Sequence, residues 1–545
     1  MNIADLLARH AELRPDTPAI IEGSGRRTKI TTYRELERET ERVAAILHRA
    51  GLRPGETVLV LTPMSAQLYI VLGAIFRLGL VGMFVDPGAG WKPLNKAVES
   101  ARPRAFIGNS KSHLLRLVCR AVRAIPQHFT TGLPFPGTHS LNSNPSPRDH
   151  ATSTPPKPNI FPADFHTPAL MTFTSGTTGD PKGTVRTHGF LRLQHRALER
   201  ALQLTPDTVD LTTMPIVLLA NLASGITSLI PDVNLARPGS IDPAKVIPQI
   251  ERHRPLSCTA SPAFYEQLIR HHQSHSLSLP SFKRLFAGGA PVFPGLLECL
   301  QQLAPNAIPS SVYGSTEAEP ISLLSLNEIS PDIRNRIHSG HGLPAGIPVP
   351  EIRVAILPDR WGNPIGPFTA AEFIAAQQPA NNPGEIVVSG DHVLSGYLSQ
   401  HDDPTTRLIV DDTIWHRTGD AGSLDEQGLL WLLGRCSARI EDHRGTIYPL
   451  QVESRIPRHP HIRRTALISL YGRRVLVVEP TPNHSLHSHD SHDSLTSLLD
   501  ENIVDEIVTI RNIPTDRRHN AKIDYHSLTR QLQTSAPSHE NPPPP

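Results

Sequence analysis

The sequence predicts an α/β protein with a large, mostly parallel sheet domain and a smaller second domain. Helix patterns are followed by short apolar strand patterns three times, in residues 31–61, 68–85 and 95–107. This alternation is typical of parallel sheets that are covered by helices. The chain has 545 residues, more than one hydrophobic core usually serves. We therefore expect one large domain and at least one smaller one.

The first helix–strand unit has the clearest pattern. Between residues 31 and 51, apolar side chains recur at helical spacing, at Leu36, Val43, Ala44 and Leu47. Gly51 then ends the helix pattern, and residues 57–61 read as a short buried strand.

The most apolar stretch, residues 68–85, approaches the length of a membrane span. Arg77 and three glycines interrupt it, so we interpret it as a buried helix that ends near Gly79 and is followed by a buried strand. The amino terminus has early acidic residues and no continuous apolar run, which does not fit a signal peptide. We expect a cytoplasmic protein without a membrane span.

Three segments are too polar to pack in a core. Residues 128–162 are rich in Pro, Ser, Thr and Asn and predict a mobile surface loop. Residues 483–494 carry four histidines without regular ligand spacing, so we favour a solvated loop over a metal site. The last residues, SHENPPPP, predict a disordered tail.

Composition narrows the class of partner. Lys and Arg total 53 against 51 Asp and Glu, a formal charge of +2, so no global basic field points to nucleic acid. The cysteines, Cys119, Cys258, Cys299 and Cys436, include no CxxC pair. We favour reduced thiols over a redox role, a disulfide framework or structural zinc. A small-molecule ligand fits this composition best.

A glycine-rich loop is the strongest local signal. Residues 174–183 read TSGTTGDPKG and follow an apolar strand pattern at residues 170–173. Free backbone N–H groups, hydroxyls and a nearby lysine suit the binding of phosphates at the carboxyl edge of a sheet. The GxxxxGK[ST] pattern is absent, because Lys182 is followed by Gly183. The loop is therefore a phosphate loop of another kind.

The exact string resembles the signature loop of the adenylate-forming enzymes, the superfamily of acyl-CoA synthetases, luciferases and peptide-synthetase adenylation domains. In that family the loop holds the β- and γ-phosphates of ATP. The resemblance implies that the phosphate contacts are Thr174, Ser175, Gly176, Thr177, Thr178, Gly179 and Lys182.

Two further motifs resemble the adenine side of that family's site. AGGAP, at residues 287–291, implies that Gly288, Gly289 and Ala290 lie against the base. VYGSTE follows at residues 312–317 and includes Gly314. It implies that Tyr313 stacks on adenine, Thr316 contacts the α-phosphate and Glu317 binds Mg²⁺, a hard cation that prefers carboxylate and phosphate oxygens.

The ribose motifs and the carboxy-terminal part follow in the family's order. GEIVVSG at residues 384–390 precedes WHRTGD at residues 415–420, and the resemblance gives Asp420 and Arg435 the ribose hydroxyls. Ala438 stands where the family keeps a hinge aspartate, and Glu441 stands where a lysine is common. RRHNAK then places Lys522 at the family's catalytic lysine.

The resemblance implies a specific domain organisation. Residues 1–434 form an ATP- and acyl-binding domain of two packed α/β sheets plus a small β-barrel. Residues 435–532 form a small mobile α+β domain, and residues 533–545 form the disordered tail.

The implied reaction is ATP- and Mg²⁺-dependent activation of a carboxylic acid to an acyl adenylate, with release of pyrophosphate. Transfer to CoA is the common second step in the family, and it is the second step we predict here, with β-lactone formation as the alternative. Several local strings, among them VDPGAG at residues 85–90 and RRHNAK, resemble the olefin β-lactone synthetases, in which the substrate's own β-hydroxyl attacks the activated carbonyl. A non-catalytic nucleotide-binding relative, or an adenylation domain that serves a carrier protein or pathway enzymes in trans, stays open.

The acyl site is expected near residues 214–230. Residues 217–220 are apolar, and Ala223, Ser224 and Gly225 are small. Small side chains on a helix either leave room for an alkyl chain or allow close helix packing, and both alternatives stay open. We predict a medium- or long-chain aliphatic acid.

Overall fold

The structure, a computed structural model, describes residues 2–85, 90–142, 158–175, 181–394, 396–398, 403–456, 461–481, 503–516 and 521–535. The α-helices in these residues are α1 (Ala4–Leu13), α2 (Tyr33–Arg49), α3 (Ala66–Arg77), α4 (Trp91–Ala101), α5 (Ser110–His113), α6 (Leu115–Val118), α7 (Arg120–Arg123), α8 (His188–Ala201), α9 (Pro215–Ala223), α10 (Pro243–His253), α11 (Pro262–His275), α12 (Pro294–Leu303), α13 (Pro331–His338), α14 (Ala370–Ala376), α15 (Asp403–Thr406), α16 (Pro449–Glu453) and α17 (Tyr525–Ser535).

The strands in the same residues are β1 (Pro18–Glu22), β2 (Lys29–Thr32), β3 (Thr57–Leu61), β4 (Val81–Val85), β5 (Ala105–Gly108), β6 (Gln127–Thr130), β7 (His139–Ser140), β8 (Pro168–Ser175), β9 (Pro181–Thr187), β10 (Val209–Thr212), β11 (Thr227–Leu229), β12 (Ser257–Ala260), β13 (Arg284–Gly288), β14 (Ile308–Tyr313), β15 (Ser322–Ser325), β16 (Leu343–Pro348), β17 (Ile352–Leu357), β18 (Gly384–Gly390), β19 (Arg407–Val410), β20 (Thr413–Leu424), β21 (Leu430–Arg435), β22 (Ile440–Asp442), β23 (Gly445–Ile447), β24 (Ile462–Leu470), β25 (Arg473–Pro480) and β26 (Glu506–Thr509).

Two large sheets organise the first part of the chain. The smaller one has the strand order β7-β6-β5-β3-β4-β8-β9. All its strand pairs are parallel except the β8–β9 hairpin, which is antiparallel. The larger one runs β17-β18-β20-β21-β16-β15-β14-β13-β12-β10-β11-β1-β2, with β19 beside β20. Its β10 to β14 region is parallel, and the arm from β14 to β17 is antiparallel. The predicted α/β class is confirmed.

The largest apolar cluster joins these two sheets. It contains Ile20 of β1 and Val58 of β3 together with Val43 of α2 and Leu218 of α9, all of them buried. Helix α2 begins at a capping box in which Thr32 and Glu35 exchange hydrogen bonds, as expected for a strong helix start. The helices between the sheets therefore set the position of both carboxyl edges.

The described residues after β21 form two further small sheets. β22 pairs with β23, and β24, β25 and β26 form a three-stranded sheet against which α17 packs. The mixed α and β content agrees with the predicted α+β character, while the boundary at residue 434 stays a prediction.

Several local expectations need correction. His128 and Phe129 lie in the buried strand β6, so the loop predicted from residue 128 begins later. Phe129 is the one large apolar residue among the four residues of β6. The sequence pattern of a strand is therefore weak here, beside a Gly- and Pro-rich segment. Helix α17 extends to Ser535, three residues beyond the predicted end of the domain at 532. No ladder among the described strands closes the antiparallel arm into the predicted small barrel, because closure depends on strand tilt and register rather than on motifs.

Some predicted segments lie wholly or partly outside the described residues. They are the polar tract at 483–494, residues 143–157 of the proline-rich segment, and the last ten residues, 536–545. The apolar stretch at residues 68–85 contains most of α3 followed by β4, as predicted. No helix in the described ranges is long and apolar enough to cross a membrane.

Candidate active site

The glycine-rich loop connects the two strands of the β8–β9 hairpin. Backbone pairing is described up to Ser175 opposite Pro181 and Thr174 opposite Lys182. Gly176, Thr177, Thr178 and Gly179 lie outside the described residues, and only the backbone of Thr174 and Ser175 is described. Because β8 runs parallel to β4, its end places this loop at the carboxyl edge of the smaller sheet.

The two predicted adenine-side motifs end adjacent parallel strands. Gly288, the last residue of β13, pairs with Val312 of β14. A Cβ at Gly288 would lie 2.9 Å from the Val312 carbonyl oxygen, so glycine permits this close approach. Gly289, Ala290 and Tyr313 consequently meet at one edge of the larger sheet.

Glu317 of the YGSTE motif is held by contacts from a distant segment. The Tyr397 hydroxyl donates to Glu317 Oε1 at 3.0 Å, and the Leu394 N–H donates to the Glu317 carbonyl at 2.8 Å. Burial alone would raise the pKa of Glu317, but His416 and the Tyr397 hydrogen bond outweigh it and hold the pKa below its ordinary value. The carboxylate is therefore ionised near neutral pH, as a cation ligand must be.

The predicted ribose residues face each other across two strands. Asp420 of β20 and Arg435 of β21 are direct partners in the antiparallel ladder, and Arg435 Nη1 donates to Asp420 Oδ1 at 2.7 Å. The Tyr313 hydroxyl donates to Asp420 Oδ2 at 2.8 Å. Burial and the Asp420 carboxylate raise the pKa of Tyr313 well above its ordinary value. Asp420 thus links the predicted adenine and ribose contacts.

Lys522 is held through its backbone by one aspartate. Asp516 Oδ1 accepts the N–H of Lys522 at 2.9 Å and that of Ala521 at 3.2 Å. The Asp516 N–H donates to the Lys522 carbonyl at 2.8 Å. Both backbone polar groups of the exposed Lys522 are therefore bonded to Asp516.

One cavity of about 2400 Å³ brings the described site residues together. The predicted residues that line it are Lys182, Gly289, Ala290, Tyr313, Gly314, Thr316, Glu317, Asp420, Arg435 and Lys522. Gly288, the last residue of β13, is outside this lining. The roles assigned to these residues stay predictions, while their convergence is a property of the fold.

Two lining residues were not predicted as site residues. Tyr397 bonds Glu317, and its ring centre lies 5.5 Å from Lys182 Nζ. Burial lowers the pKa of His416, which the carboxylates of Glu317 and Asp420 oppose. The available signals were the tyrosine after GEIVVSG and the histidine within WHRTGD, but neither indicates a contact with Glu317, which lies 80 residues before Tyr397.

The donor set suits a metal ion only in part. Glu317 offers an ionised carboxylate, yet the described part of the chain holds no group of three or more His, Cys, Asp or Glu side chains that could bind a metal. Mg²⁺ is usually held by one or two carboxylates together with phosphate oxygens and water. The residues therefore fit a Mg²⁺ ion that a bound nucleotide completes.

The expected acyl region is closely packed. Residues 217–223 of α9 are buried, and none of residues 214–230 lines the large cavity. A void of about 10 Å³ lies between Leu219, Ala223 and α8, which is roughly the space of one water. Of the two alternatives for the small residues here, close helix packing describes the structure.

The fold and this cavity define an adenylate-forming ligase. The sequence model of the AMP-binding enzyme family matches residues 7–398, and the chain belongs to that family. It is an ATP-dependent, AMP-forming ligase.

The relatives and solved structures extend over almost the whole chain. An olefin beta-lactone synthetase of Stenotrophomonas maltophilia is 30% identical over 97% of each protein, and a feruloyl-CoA synthase of Amycolatopsis is 26% identical over 85% of this chain and 84% of its own. The crystal structure of the anthranilate CoA ligase AuaEII with anthranoyl-AMP matches with a TM-score of 0.80 at 18% identity, covering 98% of each chain.

Proposed function

We propose that this ligase activates a 2-alkyl-3-hydroxy fatty acid as its adenylate and closes it to a β-lactone. The observation that carries the proposal is the similarity to the Stenotrophomonas maltophilia olefin beta-lactone synthetase over 97% of both chains. A second such synthetase, of Xanthomonas campestris, is 29% identical over 97% of this chain. The strings VDPGAG and RRHNAK support the same assignment.

The first half-reaction uses the residues that line the cavity. A carboxylate oxygen of the acid attacks the α-phosphorus of ATP, the bond from that phosphorus to the bridging oxygen breaks, and pyrophosphate leaves. Asp420 and Arg435 orient the ribose, and Lys182 and Lys522 supply positive charge where negative charge accumulates. Mg²⁺ held by Glu317 and the phosphates would neutralise the departing pyrophosphate.

The second half-reaction needs no external acceptor. The β-hydroxyl oxygen attacks the carbonyl carbon, the bond between that carbon and the phosphate oxygen breaks, AMP leaves, and the hydroxyl proton passes to solvent. Proximity favours this intramolecular attack, although ring strain opposes it.

Transfer of the acyl group to CoA is the second candidate. The similarity to feruloyl-CoA synthase supports it, at lower identity and over a smaller share of this chain. Transfer to a carrier protein or to pathway enzymes in trans also stays a prediction.

The test is mass spectrometry of the products from purified protein, ATP, Mg²⁺ and a racemic long-chain 2-alkyl-3-hydroxy acid, with and without CoA. We expect AMP together with an acid that has lost one water, in both reactions. A thioester that forms only with CoA would replace the lactone proposal with the CoA ligase.

A matched pair of lysine variants separates a true enzyme from a non-catalytic relative. Lys522→Ala should lose adenylation, measured as pyrophosphate exchange, and keep ATP binding, measured by calorimetry. Lys245→Ala, on the exposed side of α10 and away from the cavity, should keep both. Equal exchange by all three proteins would remove Lys522 from the mechanism. In the same assay, activity with a small aromatic acid alone would refute the aliphatic substrate.

A further inference from the structure

An exposed apolar surface lies away from the cavity, on the turns after β5. Leu114, Leu117 and Val118 stand at positions i, i+3 and i+4 of the continuous turns of α5 and α6, so they project to the same side. Their exposed fractions are 53%, 69% and 63%. Lys111, three residues before Leu114, is also exposed on this side. A single exposed aliphatic side chain is ordinary, but several that lie together on one side mark an interaction surface.

A second segment extends this surface. Leu133, in the turn after β6, is 78% exposed. The Ser110 hydroxyl donates to the Leu133 carbonyl at 2.9 Å, so the turn lies beside the start of α5. We call Lys111, Leu114, Leu117, Val118 and Leu133 the basic apolar face.

The segment that carries this face has a one-sided charge in sequence, although Glu56 from outside it pairs with Arg104 at 3.8 Å. Residues 101–142 contain six Lys or Arg and no Asp or Glu, whereas the whole chain has 53 basic and 51 acidic residues. Arg116 is occupied with the Pro136 carbonyl at 3.0 Å, while Arg120 and Arg123 are exposed. The segment therefore attracts anionic surfaces through side chains that remain accessible.

The face lies on the active-site edge of the smaller sheet. β5 and β6 end at this face, and they run parallel to β8, whose end begins the glycine-rich loop. β5 is three strands from β8 and β6 is four, which at about 4.8 Å per strand gives roughly 14 to 19 Å. A surface docked here would thus lie on the same edge of the sheet as the glycine-rich loop.

We propose that the basic apolar face docks the enzyme reversibly on a bilayer that contains anionic phospholipids. The aliphatic side chains insert at the boundary between headgroups and acyl chains, and Lys111, Arg120 and Arg123 attract the anionic headgroups. Exposed aliphatic side chains in a segment that carries basic residues and no acidic ones fit an anionic lipid surface. This inference does not depend on which acid is activated.

The experiment is co-sedimentation of the full chain with vesicles of phosphatidylcholine alone or with added phosphatidylglycerol. We expect binding only to the vesicles with phosphatidylglycerol, and weaker binding as salt rises. Leu117→Glu with Val118→Glu should abolish it. Lys111→Ala with Arg120→Ala should weaken partitioning by about 25-fold, since each basic residue contributes about fivefold.

The control variant is Ile374→Glu, which changes a 69% exposed apolar residue on α14 and should bind vesicles as the native protein does. Pyrophosphate exchange without vesicles should be the same in every variant, which shows that each one folds. Binding that persists in the double glutamate variant, or that ignores lipid charge, would overturn the proposal. The proposal would also be overturned if the native protein were an oligomer that the double glutamate variant dissociates. The basic apolar face would then be an interface between copies of the chain.

Discussion

Glu453 is a buried carboxyl whose charge state sets the stability of the segment that follows Lys522. It ends α16 and is 3% exposed. Glu453 Oε1 accepts the Leu467 N–H of β24 and the Tyr525 hydroxyl of α17, both at 2.9 Å. Burial raises the pKa of Glu453 to about 7, although these hydrogen bonds oppose the shift. One side chain therefore joins three elements of the carboxy-terminal part.

The size of the effect follows from the shift. The pKa rises from 4.5 in the unfolded chain to about 7 in the folded one, and this gap corresponds to about 3 kcal/mol. Between these two values the folded state keeps the proton and the unfolded state releases it. Stability therefore falls as pH rises from about 4.5 to about 7, and the loss is complete above that range.

Glu453→Gln removes this titration and keeps an oxygen that accepts both hydrogen bonds. We expect the protection of α17 in the variant and the native protein to differ by no more than about fivefold at pH 5. At pH 8 the native α17 should open up to about a hundredfold more often than the variant.

The assay is hydrogen–deuterium exchange of peptides from α17 and β24, with both proteins compared at each pH. A local readout is needed because a chain of 545 residues with several cores does not unfold in two states. Glu426→Gln, at an exposed turn, is the control and should follow the native protein. Identical pH dependence in Glu453→Gln and the native protein would refute the reasoning.

Three further predictions test the site and the fold. Asp516→Ala should lower the rate of pyrophosphate exchange at least about tenfold with little change in the KM for ATP. The reason is that the substitution removes the hydrogen bond that holds the backbone of Lys522, the predicted catalytic lysine. An unchanged rate would mean that this contact does not position the lysine. Arg417→Met should lower the local opening free energy of β18 and β20, measured by hydrogen–deuterium exchange, by about 3–5 kcal/mol, since it leaves Glu385 unpaired where both side chains are 0% exposed. Adding Glu385→Met should recover most of that loss, and a simple sum of the two effects would contradict the pairing. Gly346→Ala should prevent soluble expression, because at φ +97° its Cβ would lie 1.7 Å from a carbonyl oxygen of β15. The control is Gly362→Ala, which has a similar φ of +88° but no atom within 4 Å of the added Cβ. It should lower the stability by only about 1 kcal/mol.

The sequence by itself determined the elements and motifs whose signals are local. The periodicity around Val43 predicts α2, and the strand at residues 57–61 has the predicted bounds. The string TSGTTGDPKG predicts the family because the residues that form the turn and those that bind phosphate are neighbours in the sequence.

The tertiary structure alone decided which distant residues meet. Asp420 faces Arg435 because of the register of two antiparallel strands, and Tyr397 reaches Glu317 through a segment 80 residues away. Register and packing depend on the whole sheet, since a shift of one residue would turn each side chain to the opposite face. The same dependence applies to the small residues at and after the end of α9. The sequence is compatible with either an acyl chain or close helix packing there, and the structure shows that α8 packs closely against α9.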